Sequence, residues 1–96
     1  LAATTDTWIT PMVANTPSWV KVETTEPIMW GMVPSGEIPP VPGDEWVSSG
    51  WPGGLITPYQ KHVLFFDASF PADDELHFYN LGTSNAYIFA HVYRTE

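Results

Sequence analysis

An all-β domain, either an antiparallel β-sandwich or a jelly-roll-like barrel of about seven short strands, is the fold class this sequence predicts. Ten prolines and seven glycines interrupt the chain so often that no stretch sustains an amphipathic helical period. Between these interruptions lie short runs rich in Val, Ile, Thr, Tyr, Phe and Trp, the residues that suit a pleated, half-buried surface. A chain of 96 residues has room for one hydrophobic core, so residues 1–96 read as a single domain.

Taken in order, strands are expected at residues 7–10, 18–24, 28–33, 45–48, 62–67, 76–80 and 86–95. In the second of these, Trp19, Lys21 and Glu23 share one face and Val20 and Val22 the other, so the Trp19 face is the wetter one. The run at 62–67 is apolar on both faces, Leu64 and Phe66 opposing Val63 and Phe65. This predicts a central strand covered on both sides. Residues 33–54 interleave Pro34, Pro39, Pro40, Pro42 and Pro52 with five glycines and read as a mostly exposed loop, its tip near Ile38-Pro39-Pro40-Val41.

The last two runs suggest a hairpin over residues 75–94, turning at Leu81-Gly82-Thr83-Ser84-Asn85. Pairing Asn80 with Ala86 sets Phe78 against Ile88 and Leu76 against Ala90, and gathers the apolar residues on a core face. The opposite face then displays His77, Tyr79, Tyr87, Phe89, His91 and Tyr93. So large an aromatic set is expected to be a contact surface, in the first instance between copies of the chain. The alternative is that a second sheet of the same chain covers it.

Charge narrows the functions. Eleven acidic residues against three basic ones, Lys21, Lys61 and Arg94, give a formal charge of −8. This argues against nucleic-acid binding, which draws its affinity from basic side chains, and against anionic membrane surfaces. No run approaches the roughly 20 apolar residues of a membrane span, so membrane insertion is not expected. The opening Leu1-Ala2-Ala3-Thr4-Thr5-Asp6 lacks the regions of a signal peptide, and a start at Leu1 reads as a domain cut from a longer polypeptide.

Catalytic signatures are missing: no glycine-rich phosphate loop, zinc-protease helix or nucleophile elbow occurs, and there is no cysteine. The expected function is therefore not enzymatic, and no cofactor is expected. His62, His77 and His91 would ligate a metal only if they converged, which their spacing does not require. Asp73, Asp74 and Glu75, like Asp44-Glu45, form an acidic cluster of the kind that binds calcium weakly, although Pro71-Ala72-Asp73-Asp74 equally suits a solvated turn. Trp46 and Trp51, in or beside the Pro/Gly-rich region, are candidate ligand-binding aromatics for a glycan or a protein. The other reading is that they fold back over the loop.

The run Leu76-His77-Phe78-Tyr79-Asn80, a polar turn and then Ala86-Tyr87-Ile88-Phe89-Ala90-His91-Val92-Tyr93 resemble the closing strand pair of viral coat-protein β-sandwiches. The Thr/Pro/Trp-rich remainder resembles the protruding spike domains of small icosahedral RNA virus capsids, nodaviruses in particular. That resemblance implies a virion-surface or otherwise extracellular domain that dimerises within a capsid assembly and attaches to a host receptor or glycan. A carbohydrate-binding module is the alternative.

Overall fold

The computed structural model describes residues 1–37 and 52–94. These form seven strands: β1 (Asp6–Ile9), β2 (Ser18–Thr24), β3 (Ile28–Val33), β4 (Gly53–Ile56), β5 (His62–Phe66), β6 (Glu75–Asn80) and β7 (Ile88–Arg94). All pairings are antiparallel and build two sheets, one ordered β1-β6-β3-β4 and the other β5-β2-β7. The fold is a β-sandwich, and no helix occurs among the described residues.

The topology is simplest as three ribbons, each passing from one sheet to the other at a corner. β2 and β3 form the middle ribbon. β4–β5 flanks it on one side, β4 on β3 and β5 on β2; β6–β7 flanks it on the other, β6 on β3 and β7 on β2. The corners are joined to one another by hydrogen bonds. Tyr59 N–H donates to the Thr24 carbonyl, Thr25 N–H to the Tyr87 carbonyl, and Leu81 N–H to the Pro27 carbonyl.

Alternation along the strands supplies the core. Ser18, Val20, Val22 and Thr24 of β2 are buried while the residues between them are half-buried. Phe66, Phe78, Ile28, Met32 and Leu76 are all at most 1% exposed and fill the space between the sheets. Trp30 stands edge-on to Phe66 with ring centroids 5.8 Å apart. Gly54 on the neighbouring strand leaves room for that indole, because a Cβ there would lie 3.2 Å from Trp30 Nε1. The two glycines and Pro52 hide this strand from a propensity reading, and β4 was not among the expected elements. The strand expected at 45–48 and the loop tip at residues 38–41 lie outside the described residues.

Two expectations are overturned. The hairpin over residues 75–94 does not form: β1 and β3 occupy both edges of β6, and β7 pairs with β2 in the other sheet. The cause is Asn80, fully buried, whose Nδ2 donates to the carbonyls of Leu1 (3.0 Å) and Ser84 (2.8 Å) while its Oδ1 accepts from Gly82 N–H at 2.8 Å. These bonds turn residues 80–84 into a corner instead of a reversal. The assignment of faces survives in part, since Leu76, Phe78 and Ala86 are buried and Ile88 and Val92 pack on the core, but Ala90 is exposed. The second correction concerns β5, which is an edge strand and not a central one. Leu64 and Phe66 are buried, but Val63 is 63% and Phe65 55% exposed.

Candidate contact surface

The outer face of the three-stranded sheet carries the side chains that alternate away from the core on β5, β2 and β7. The register sets them in rows. Phe65, Trp19 and Tyr93 lie side by side across the strands; Val63, Lys21 and His91 form the next row; Glu23 and Phe89 follow. Phe89 is 67% exposed and Tyr93 46%. Trp19 and Phe65 touch with centroids 5.1 Å apart and planes tilted by 47°, whereas His91 and Tyr93 stack in parallel at 4.3 Å. Lys61 extends the Glu23 row, its ammonium 4.0 Å from the carboxylate, with both side chains largely in water.

A groove of about 390 Å3 runs along this face, lined by Lys21, Glu23, Phe89, Ala90, His91 and Tyr93. Ala90 belongs to the opposite side of β7, so the groove reaches the free edge of that strand.

Of the side chains expected to share one surface, Phe89, His91 and Tyr93 do so, and Tyr87 continues them at the corner with 70% exposure. His77 and Tyr79 do not. They lie on β6 in the other sheet, turned away from the core, and His77 is only 4% exposed. Its Nδ1 lies 2.9 Å from Asp6 Oδ2 and its Nε2 2.9 Å from Glu75 Oε1, with Trp8 tilted over it at 6.0 Å. His77 thus tethers β1 to β6 and is no part of a displayed patch.

In place of His77 and Tyr79, the structure brings Trp19, Lys21, Val63 and Phe65 to the surface. The signal for them was present in the alternation of Trp19, Lys21 and Glu23, and in the apolar second face of β5.

Of the calcium candidates, Asp73, Asp74 and Glu75 do not converge, and Asp44 and Glu45 lie outside the described residues. Glu75 is engaged with His77, and Asp74 is buried at the end of the turn that its N–H closes onto the Pro71 carbonyl at 3.2 Å. Burial, with the neighbouring charges of Asp73 and Glu75 adding to it, raises the Asp74 pKa above its ordinary value. Among the described residues, no group of three His, Asp or Glu side chains is placed to hold a metal ion. A hydroxyl–imidazole contact exists at Thr57 Oγ1 and His62 Nε2, 3.1 Å apart, but His62 Nε2 also accepts Thr57 N–H and the hydroxyl reaches Gln60 Oε1 at 2.9 Å. These bonds lock the β4–β5 corner. Trp46 and Trp51 lie outside the described residues. Comparisons with family models, with curated proteins and with solved structures each find no match for this chain.

Proposed function

We propose that this chain is a non-catalytic surface domain that works by contact through the outer face of the β5-β2-β7 sheet, with self-association as its first use. One observation carries the proposal: Phe65, Phe89 and Tyr93, with Val63 and Tyr87 beside them, stand exposed on one side of a small sandwich whose core is complete without them. Exposed aromatic and apolar side chains gathered on one face, here with Lys21, Glu23 and His91 among them, mark contacts. A strongly acidic, host-facing domain of a capsid spike, as the resemblance of the Thr/Pro/Trp-rich remainder of the chain implies, fits this reading, and attachment to a host surface would be the second use of the same face.

Ring geometry favours a protein partner over a sugar. Pyranose stacking needs a flat ring face turned outward. Here His91 and Tyr93 each give one ring face to the other and Trp19 and Phe65 are tilted together, which leaves fewer flat faces for a sugar on these four rings.

Sedimentation of the parent and of Phe89→Glu, with circular dichroism on both, tests the proposal. The expected result is a dimer or larger assembly for the parent and a folded monomer for the variant. A parent that is monomeric up to high concentration yet binds a glycan array would establish the carbohydrate module instead. A monomer that binds nothing on the array, or a variant that still assembles, overturns the proposal.

A further inference from the structure

The free edge of β7 singles out one mode of self-association. The Tyr87 carbonyl accepts from Thr25 N–H, directed at the β2 side, and on the other side Ala86 N–H and C=O both bond to Leu1, at 2.7 and 2.6 Å. Backbone direction alternates along a strand. The odd residues Phe89, His91 and Tyr93 therefore bond to β2, and the even residues Ile88, Ala90, Val92 and Arg94 direct their N–H and C=O groups outward. Beyond Ala86 no described residue takes up these groups.

Exposed edges invite pairing, and proteins blunt them with short strands, proline, glycine or lysine. The other edges here are defended in this way: β1 and β4 have four residues each, β4 begins with two glycines after Pro52, and Lys61 precedes β5. β7 has seven residues and no proline, glycine or lysine, and its one permanently charged side chain, Arg94, stands at its end.

We infer that β7 pairs antiparallel with β7 of a second copy, joining two three-stranded sheets into one six-stranded sheet. The inference rests on the self-association proposed above but moves its main contact from the face to the β7 edge that borders it, where the aromatic rows of the two copies meet end to end. The register that uses the whole strand puts the two-fold axis at His91, the middle residue of Ile88–Arg94. The outward-directed residues then meet one another, Ile88 with Arg94 and Ala90 with Val92, so every free edge group is bonded. Phe89 comes opposite Tyr93 of the other copy in a closely spaced pair of the kind that stabilises sheets. Each aromatic row becomes Phe65, Trp19, Tyr93 and the second copy's Phe89. The face itself stays open to a further partner.

The chain contains no cysteine, so a single introduced thiol can crosslink only to another copy. His91→Cys places two thiols across the axis in a non-hydrogen-bonded pair, with Cα atoms roughly 4.5–5.5 Å apart, within disulfide reach. Under mild oxidation it should form covalent dimers, while Phe89→Cys, whose copies would be offset by about 13 Å, should not. Ala90→Pro removes an outward N–H and none of the bonds to β2, and should weaken the dimer about tenfold or more, whereas Ala90→Thr should leave it intact. Intact folding of each variant is checked by near-ultraviolet circular dichroism.

Crosslinking at 89 but not 91 overturns the register. A dimer that survives Ala90→Pro, dissociates with Phe89→Glu and does not crosslink at 91 overturns edge pairing but leaves contact through the face standing. A parent that never dimerises overturns both. If Ala90→Pro fails to fold, crosslinking at 91 still decides.

Discussion

Neighbouring phenylalanines on β5 should differ sharply when truncated. Phe66 is 1% exposed and meets Trp30 and Phe70 edge-on, at 5.8 and 5.5 Å between centroids. Phe66→Ala removes a buried ring and leaves a cavity between the sheets, a loss of about 3–5 kcal/mol. Against a total stability of roughly 5–14 kcal/mol for a domain of this length, that is a large share. Phe65 is 55% exposed on the other face and leans on Trp19. Its truncation forfeits about half a ring's burial and one aromatic contact, together about 1–3 kcal/mol. Urea unfolding monitored by circular dichroism is the assay, at protein concentrations low enough to keep the chain monomeric. With unchanged slopes, Phe66→Ala should lower the midpoint further than Phe65→Ala, and its melting temperature should fall by more than about 12 °C. Equal losses would show that a second layer covers the Phe65 face and would remove the contact surface on which the functional proposal stands.

Three further outcomes are expected. Asn80→Ala should destabilise by about 2–4 kcal/mol in thermal melts, because Gly82 N–H and the Leu1 and Ser84 carbonyls lose a buried partner together. His77→Phe should cost about 2–4 kcal/mol through the stranded Glu75 carboxylate, and adding Glu75→Gln should recover part of the loss, a coupling readable in a double-mutant cycle. Asp74 binds its proton more tightly in the folded than in the unfolded chain, so its contribution to stability is greatest below the ordinary carboxylate range and falls as pH rises through the raised pKa. Asp74→Asn should accordingly melt above the parent near pH 7, with the difference closing as the pH is lowered to about 3.

The strand positions were legible because alternation is a local property: Ser18–Thr24 and Ile28–Val33 fall where the β-branched and aromatic runs place them. The inward or outward direction of Phe89, His91 and Tyr93 was legible for the same reason. Pairing was not, because it depends on which edges are already taken. A five-residue polar linker reads as a turn, and only the buried bonds of Asn80 make it a corner that sends β7 to β2. For β5, apolar residues on both faces point to two covering layers, and only one is there. Hydrophobicity reports what a surface would gain by being covered, not whether its own chain covers it, and Val63 and Phe65 are instances of the difference. His77 was misplaced because its partner Asp6 lies 71 residues away, beyond any spacing rule.

The nested ribbons bear on how the chain reaches this state. β2 and β3 cannot complete either sheet until β6 and β7, the last segments in the chain, arrive beside them, and the partners Ser18 and Arg94 lie near opposite ends of the sequence. Closing such distant contacts carries an entropic cost that local structure does not offset, so folding should be slow for the size of the domain, in the range of milliseconds to seconds. During that interval the middle ribbon keeps one flank unpaired in both sheets at once. Conditions that prolong it, such as high chain concentration or loss of the Asn80 corner, should therefore reduce the yield of soluble protein more than they reduce the stability of what has folded.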